Sequence, residues 1–302
     1  MERAHLIMLL DGLEIAWKGE SLRKALLLIL ITGLCLPLGG ALRAEPLRVV
    51  AATTLIEGIV TAVGGDRVTV TSVIPYAMCP GHFDLSPHTA KTIATADLFL
   101  QHGFEAFARG LTFADGGPQR VVLKLDGNAM IPAVHRELAA LITDVLCKAR
   151  PAEAAAFQAN AAAYRQRIAE AEAAVRGKRA KLTGVPVLAA VMNAPFVEWT
   201  GCKVVGTFPR DESLSARTLG TLLQKGKQEG VRLIVDNQQS LGRTGKRLSD
   251  ELDAPFLILS NFPPVQDGGY PAALQASLNA LTEALNAPAS PPHPQTHKPT
   301  NN

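Results

Sequence analysis

Five side chains in this sequence have the types and positions to hold a metal ion: Cys79, His82, Asn128, Asn193 and Asp236. Cys79 and His82 form a C-x-x-H arrangement inside PYAMCPGHFDLSPH, a proline- and glycine-rich loop that can aim a thiolate and an imidazole at one point for little further entropy. A structural zinc site needs four such ligands and no second pair follows, so the spacing alone favours a surface histidine beside a half-buried cysteine. Asp236 ends the apolar run VRLIVD, where a carboxylate has to be solvated, paired or bound to a cation; capping the next helix is the rival role. Asn128 and Asn193 could each give a side-chain oxygen to a cation or make a local turn. His135, in the first turn of the helix after Pro132, faces either a cleft or the solvent.

The elements that must place these residues alternate between strand and helix. LRVVAA, LIEGIVTAVGG and RVTVTSVI read as one βαβ unit, and DLFLQH and RVVLKL continue the pattern with helices between them. After residue 178 it begins again with VPVLAAVM, CKVVGTF, VRLIVD and FLILS. The expected fold is therefore α/β, two lobes that are each a mostly parallel sheet flanked by helices. Residues 45–150 form the first lobe, 178–286 the second, and 151–177 a single long linking helix. In that helix Phe157, Ala161, Tyr164, Ile168, Ala171 and Val175 recur at spacings of four and three, Pro151 suits a first helical position and Gly177 a closing cap. Open parallel sheets bind ligands beyond the carboxyl ends of their strands. The residues after RVTVTSVI (Cys79, His82), RVVLKL (Asn128), VPVLAAVM (Asn193) and VRLIV (Asp236) are the ones placed there, from both lobes.

The chain has 302 residues, 47% of them hydrophobic, enough for one large core or two modest lobes. Its 30 basic and 27 acidic residues give a formal charge of +3, and no basic face is interleaved with aromatics, which argues against nucleic acid as a partner. Residues 1–44 read as an export signal: Arg23 and Lys24 precede the apolar run ALLLILITGLCLPL, with small residues after it and cleavage expected behind Ala41 or Ala44. Leu34 stands before Cys35 where a lipoprotein signal wants a small residue, which argues against a lipid anchor. Removal of the signal leaves Cys79, Cys147 and Cys202, an odd number for an oxidising compartment. Residues 287–302, too proline-rich and polar to pack, read as a disordered tail.

VVAATTLIEGIVTAVGGDRVTVTSVIP, GHFDLSP, ADLFLQHGFEAF, the helix opening at Pro151 and VRLIVDNQQS together resemble the periplasmic solute-binding proteins of zinc and manganese ABC transporters. The likeness runs from Leu47 to about Leu285. It implies two α/β lobes on a rigid helix, a transition metal held between them, delivery to an ABC permease in the inner membrane, a monomer, and no catalysis. Carried over by residue, His82 matches the family's first histidine ligand and Asp236 its carboxylate, whereas Asn128 and Asn193 stand where the family has imidazoles. Zinc is then the expected cargo, with manganese favoured if amide oxygens dominate and copper(I) if Cys79 does. Cys79 is expected as a ligand replacing a lost imidazole, unpaired with Cys202. Two rivals remain: a receptor for a metal chelate or other small ligand, whose asparagines would donate hydrogen bonds to it, and a periplasmic enzyme with Cys79 as nucleophile.

Overall fold

The computed structural model describes residues 45–265 and 268–286. The expected export signal, residues 1–44, and the expected tail, residues 287–302, lie outside them. Two four-stranded, wholly parallel sheets form as the alternation predicts. The first contains β1 (Leu47–Ala51), β2 (Val68–Ser72), β3 (Leu98–Gln101) and β4 (Gln119–Val122) in the order β2-β1-β3-β4; β5 (Pro186–Ala190), β6 (Lys203–Phe208), β7 (Leu233–Asn237) and β8 (Phe256–Leu259) repeat it as β6-β5-β7-β8. The central strands are apolar runs buried on both faces, which is why they read as continuous hydrophobic stretches. In each sheet the second strand goes to one side of the first and the third to the other. The winding thus reverses between β1 and β3 and between β5 and β7, and a crevice opens beyond their carboxyl ends.

The helices are α1 (Thr54–Gly64), α2 (Pro87–Ala94), α3 (Pro132–Ala149), α4 (Ala154–Ala174), α5 (Arg176–Leu182), α6 (Ala194–Trp199), α7 (Ala216–Glu229), α8 (Arg243–Leu252) and α9 (Gly269–Asn286). Hydroxyl caps start several of them: Thr53 accepts from the Ile56 N–H at α1, Ser86 from Thr89 at α2 and Ser215 from Thr218 at α7. Among the described residues no helix is long and apolar enough to cross a membrane.

The linking helix is divided where one element is expected over 151–177. Residues 151–153 form a 3-10 turn, α4 follows, and the helix breaks at Val175 before α5. Gly177 is an interior residue of α5 and caps nothing. The break lets Val175 enter the core while Leu182 turns back into it. The predicted stripe Phe157, Ala161, Tyr164, Ile168, Ala171 is the buried face of α4. It packs on α1 and α3 of the first lobe and on α9, so one apolar cluster runs through both lobes.

His135 faces neither cleft nor solvent. It is fully buried, its ring stacked on Tyr270 of α9 at 3.5 Å and 12°. The Ala129 carbonyl lies 3.1 Å from Nδ1 and the Tyr164 hydroxyl 2.7 Å from Nε2. A carbonyl only accepts, so Nδ1 carries the proton and Nε2 accepts from the tyrosine. Tyr270 in turn donates to the Met130 carbonyl at 2.9 Å. This cluster joins α3, α4 and α9 in the core and grips the backbone of residues 129–130.

Burial lowers the His135 pKa to about 3 from its ordinary 6.5. The unfolded chain therefore takes up a proton below pH 6.5 that the folded chain refuses until about pH 3, and stability falls with acid across that window. The expected slope from this group is at most about 1.4 kcal/mol per pH unit. Denaturant unfolding from pH 7 to 4 should show this loss, and His135→Phe should flatten it; an unchanged slope in the variant would assign the acid sensitivity elsewhere.

Candidate functional site

The loops after β1, β3, β4, β5 and β8 converge at the reversal points of the two sheets. After β4, Asn128 turns its amide across to the second lobe, with Nδ2 2.8 Å from the Met192 carbonyl and 2.9 Å from Asn261 Oδ1. Its own Oδ1 accepts the Met130 N–H at 2.7 Å, a local turn that fixes the side chain. Asn261, after β8, donates to the Met192 carbonyl at 3.1 Å and toward Asn193 Oδ1 at 3.5 Å. Asn193, at the N-terminus of α6, donates to the Leu259 carbonyl at 3.2 Å. Asn128 and Asn193 are thus gathered in one network, and its central member is a third asparagine.

Above these amides lies a cavity of about 260 Å³ lined by residues of both lobes, including Leu55, His102, Phe104, Met192, Asn261 and Phe262. His102 follows β3 and sits against Phe104, rings stacked at 4.9 Å and 6°, with Phe262 6.0 Å from it. Its Nε2 lies 3.0 Å from Thr53 Oγ1 across the reversal between β1 and β3. The Glu105 carboxylate accepts the N–H groups of His102 and Gly103 at 2.9 and 2.7 Å and so shapes the turn that presents the ring. Burial lowers the His102 pKa, with Glu105 pulling it back up, which leaves the imidazole neutral at pH 7. The sequence does not single out His102, Phe104, Asn261 or Phe262, although they follow β3 and β8 and so stand at strand ends like the expected residues.

The expected donors are not brought to one point. Cys79 Sγ and His82 Nδ1 stand 3.4 Å apart, and the His82 side chain, 62% exposed, places Nε2 3.9 Å from Glu212 in the loop after β6. This pair occupies the place where the loops after β2 and β6 meet. A further bond holds the two lobes there, from Gln239 Nε2 to the Tyr76 carbonyl at 2.6 Å. Asp236 is elsewhere. At 1% exposed it faces α8, accepting the Asn237 N–H at 2.6 Å and the Gly245 N–H at 2.8 Å. A Cβ on Gly245 would lie 2.5 Å from Asp236 Oδ2, so the glycine makes room for the bond. The carboxylate caps the first turn of α8, the rival of its two expected roles, and burial raises its pKa. Among the described residues no group of three His, Cys, Asp or Glu side chains is placed to hold a metal ion. All three described cysteines are free.

Two parallel α/β lobes share one continuous core beside the linking helix, with a cavity at their strand ends. The family is shown by sequence: residues 49–129 and 130–284 match the model of ZnuA, the periplasmic component A of the zinc-uptake complex, and the chain belongs to that family. A comparison with curated protein sequences finds no match. Among solved structures, the Mn-bound periplasmic metal binding protein from Candidatus Liberibacter asiaticus is 17% identical with a TM-score of 0.68, over 79% of this chain and 99% of its own. A crystal structure of ZnuA is 16% identical with a TM-score of 0.65, over 78% and 99%. These likenesses establish the fold.

If Asp236 is a helix cap, Asp236→Ala should lower stability by about 1.5–3 kcal/mol, the range for bonds to a charged group, and leave metal affinity unchanged. Thermal unfolding beside zinc titration checks both. A stable variant that no longer binds metal would return Asp236 to the site.

Proposed function

We propose that this chain is an exported receptor of an ABC uptake system for a transition metal, loading its cargo between the lobes and passing it to a permease in the inner membrane. The observation that carries the reading is the meeting of polar groups from both lobes, Asn128 from one and Asn261 and the Met192 carbonyl from the other, beside a cavity at the strand ends. Membership of a periplasmic metal-uptake family supports the cargo class and the permease. In this reading the lobes follow residues 45–150 and 178–286 and share one apolar core along the linking helix, so closure around a ligand is a small movement there. The receptor reading implies no turnover.

Zinc is the metal in the family's description. In this chain the donors that suit it are the thiolate of Cys79 and the imidazole of His82, and in this reading they catch the bare ion at the rim while the amides of Asn128 and Asn193 do not. Manganese would prefer the amide oxygens and copper(I) the thiolate. Two protein donors leave the remaining positions to water, so the affinity for free zinc should be modest. Chain purified from its native periplasm should carry a transition metal by mass spectrometry. Cys79→Ser should weaken free-zinc binding at least tenfold in calorimetry without altering the far-ultraviolet circular dichroism. Equal affinity in the variant would make the thiol a bystander.

A further inference from the structure

The cavity beside the amide network carries no charged side chain. Its lining contains no aspartate, glutamate, lysine or arginine, and its one titratable group, His102, is held neutral. The Glu105 carboxylate is engaged by two backbone N–H groups of its own turn. A divalent ion entering such a space would exchange its hydration shell for amide oxygens and one neutral imidazole, His102, whose Nε2 is already bonded to Thr53, without the thiolate or carboxylate that compensates the charge in zinc and manganese sites. The cavity is also too large for that purpose. At about 260 Å³ it has room for several waters at about 30 Å³ each, and it lies just under the roughly 300–1,000 Å³ of small-molecule pockets.

Its walls favour carbon. Phe104, Val191 and Met192 line it and remain 48%, 51% and 59% exposed, an apolar rim open to solvent. The polar groups left over are specific. Asn128 spends its N–H groups on Asn261 Oδ1 and the Met192 carbonyl, and Asn261 spends its own on the Met192 carbonyl and Asn193 Oδ1, so what each has for a ligand is a second lone pair on its amide oxygen. At His102, Nε2 is taken by Thr53 Oγ1 and Nδ1 has no partner among the described residues, so the free ring nitrogen donates or accepts according to the tautomer. The cavity therefore offers acceptors on the amide side, one free imidazole nitrogen that can donate or accept on the other, and aromatic faces between.

From these features we infer that the cleft takes its cargo as an uncharged organic molecule with a flat unsaturated face, either free or as the shell of a neutral metal complex, and not as a bare ion. The inference rests on the receptor reading: a neutral metal complex narrows it, and a free molecule keeps the receptor but replaces its metal cargo. The ligand's ring lies against Phe104 and Phe262, and its edge donates to the Asn128 and Asn261 oxygens while pairing with the free ring nitrogen of His102. Cys79 and His82, at the rim and outside the cavity lining, are not part of this pocket.

Three probes test it by calorimetry and thermal shift on the mature chain: zinc chloride, nicotinamide as an uncharged heteroaromatic amide, and zinc bis(picolinate) as a neutral complex, with picolinate alone as control. At least one organic probe should bind, and Phe104→Ala and Asn261→Ala should each weaken it tenfold or more. Phe104 is half exposed, so its truncation leaves the fold intact. Zinc chloride binding should vanish in Cys79→Ser and be indifferent to Phe104→Ala. Binding of the complex alone assigns a chelate as cargo; binding of nicotinamide alone assigns a free molecule. Zinc chloride binding that falls tenfold in Asn128→Ala or Asn261→Ala, with neither organic probe bound, overturns the inference and leaves the receptor reading standing. A chain that binds none of the three overturns both.

Discussion

The bonds from Asn128 to Asn261 and to the Met192 carbonyl join the lobes at the point where both sheets reverse their winding, and the chemistry of the cleft depends on them. A carboxamide brings both a donor and an acceptor and no charge. Three of them can therefore satisfy one another across a lobe boundary where imidazoles or carboxylates would need a cation or protons. The cost is reactivity: amides that are already paired have only weak acceptor capacity left for an ion.

That network is held from behind by the core. Asn128 is followed by Ala129 and Met130, whose carbonyls are bound by His135 and Tyr270, and Tyr164 on α4 completes the cluster. The same helices carry the apolar stripe that unites the lobes, so movement of α4 or α9 would be felt at Asn128. On the other side, Gln239 reaches Tyr76 and Ser260, and Thr54 reaches the Phe262 carbonyl. The cleft is bridged at both flanks by neutral hydrogen bonds. Their net worth is of the order of 1 kcal/mol each, a scale that a ligand can compete with when the lobes open and close.

Much of the fold was legible because it is written in short apolar runs bounded by glycine, proline and hydroxyl caps: each of the eight strands stands where its run predicts it, and Phe157, Tyr164 and Ile168 mark the buried face of α4. The break at Val175 was not legible, since Gly177 suits a helix end as well as an interior turn. The site was legible in part. The alternation of strand and helix put Asn128 and Asn193 at strand ends of different lobes, and the resemblance put both in one site. Asp236 could not be assigned, because its partner, the Gly245 N–H, is defined only once α8 packs beside β7. His135 gave no sign of burial, since a histidine in a first helical turn looks the same whether it meets water or Tyr270. Asn261 and His102 stand at strand ends too, but an asparagine before FPP and a histidine before a glycine look like ordinary turn residues until the two lobes meet.

The central claim is that a bare ion has no seat among the amides of the cleft. Anomalous diffraction at the zinc edge, from crystals of the mature chain soaked in zinc chloride, addresses it directly. The account predicts a peak between Cys79 Sγ and His82 and none within the asparagine cluster. A zinc peak at about 2.0–2.2 Å from the side-chain oxygens of Asn128, Asn193 or Asn261, the ordinary length of a zinc–oxygen bond, would contradict it.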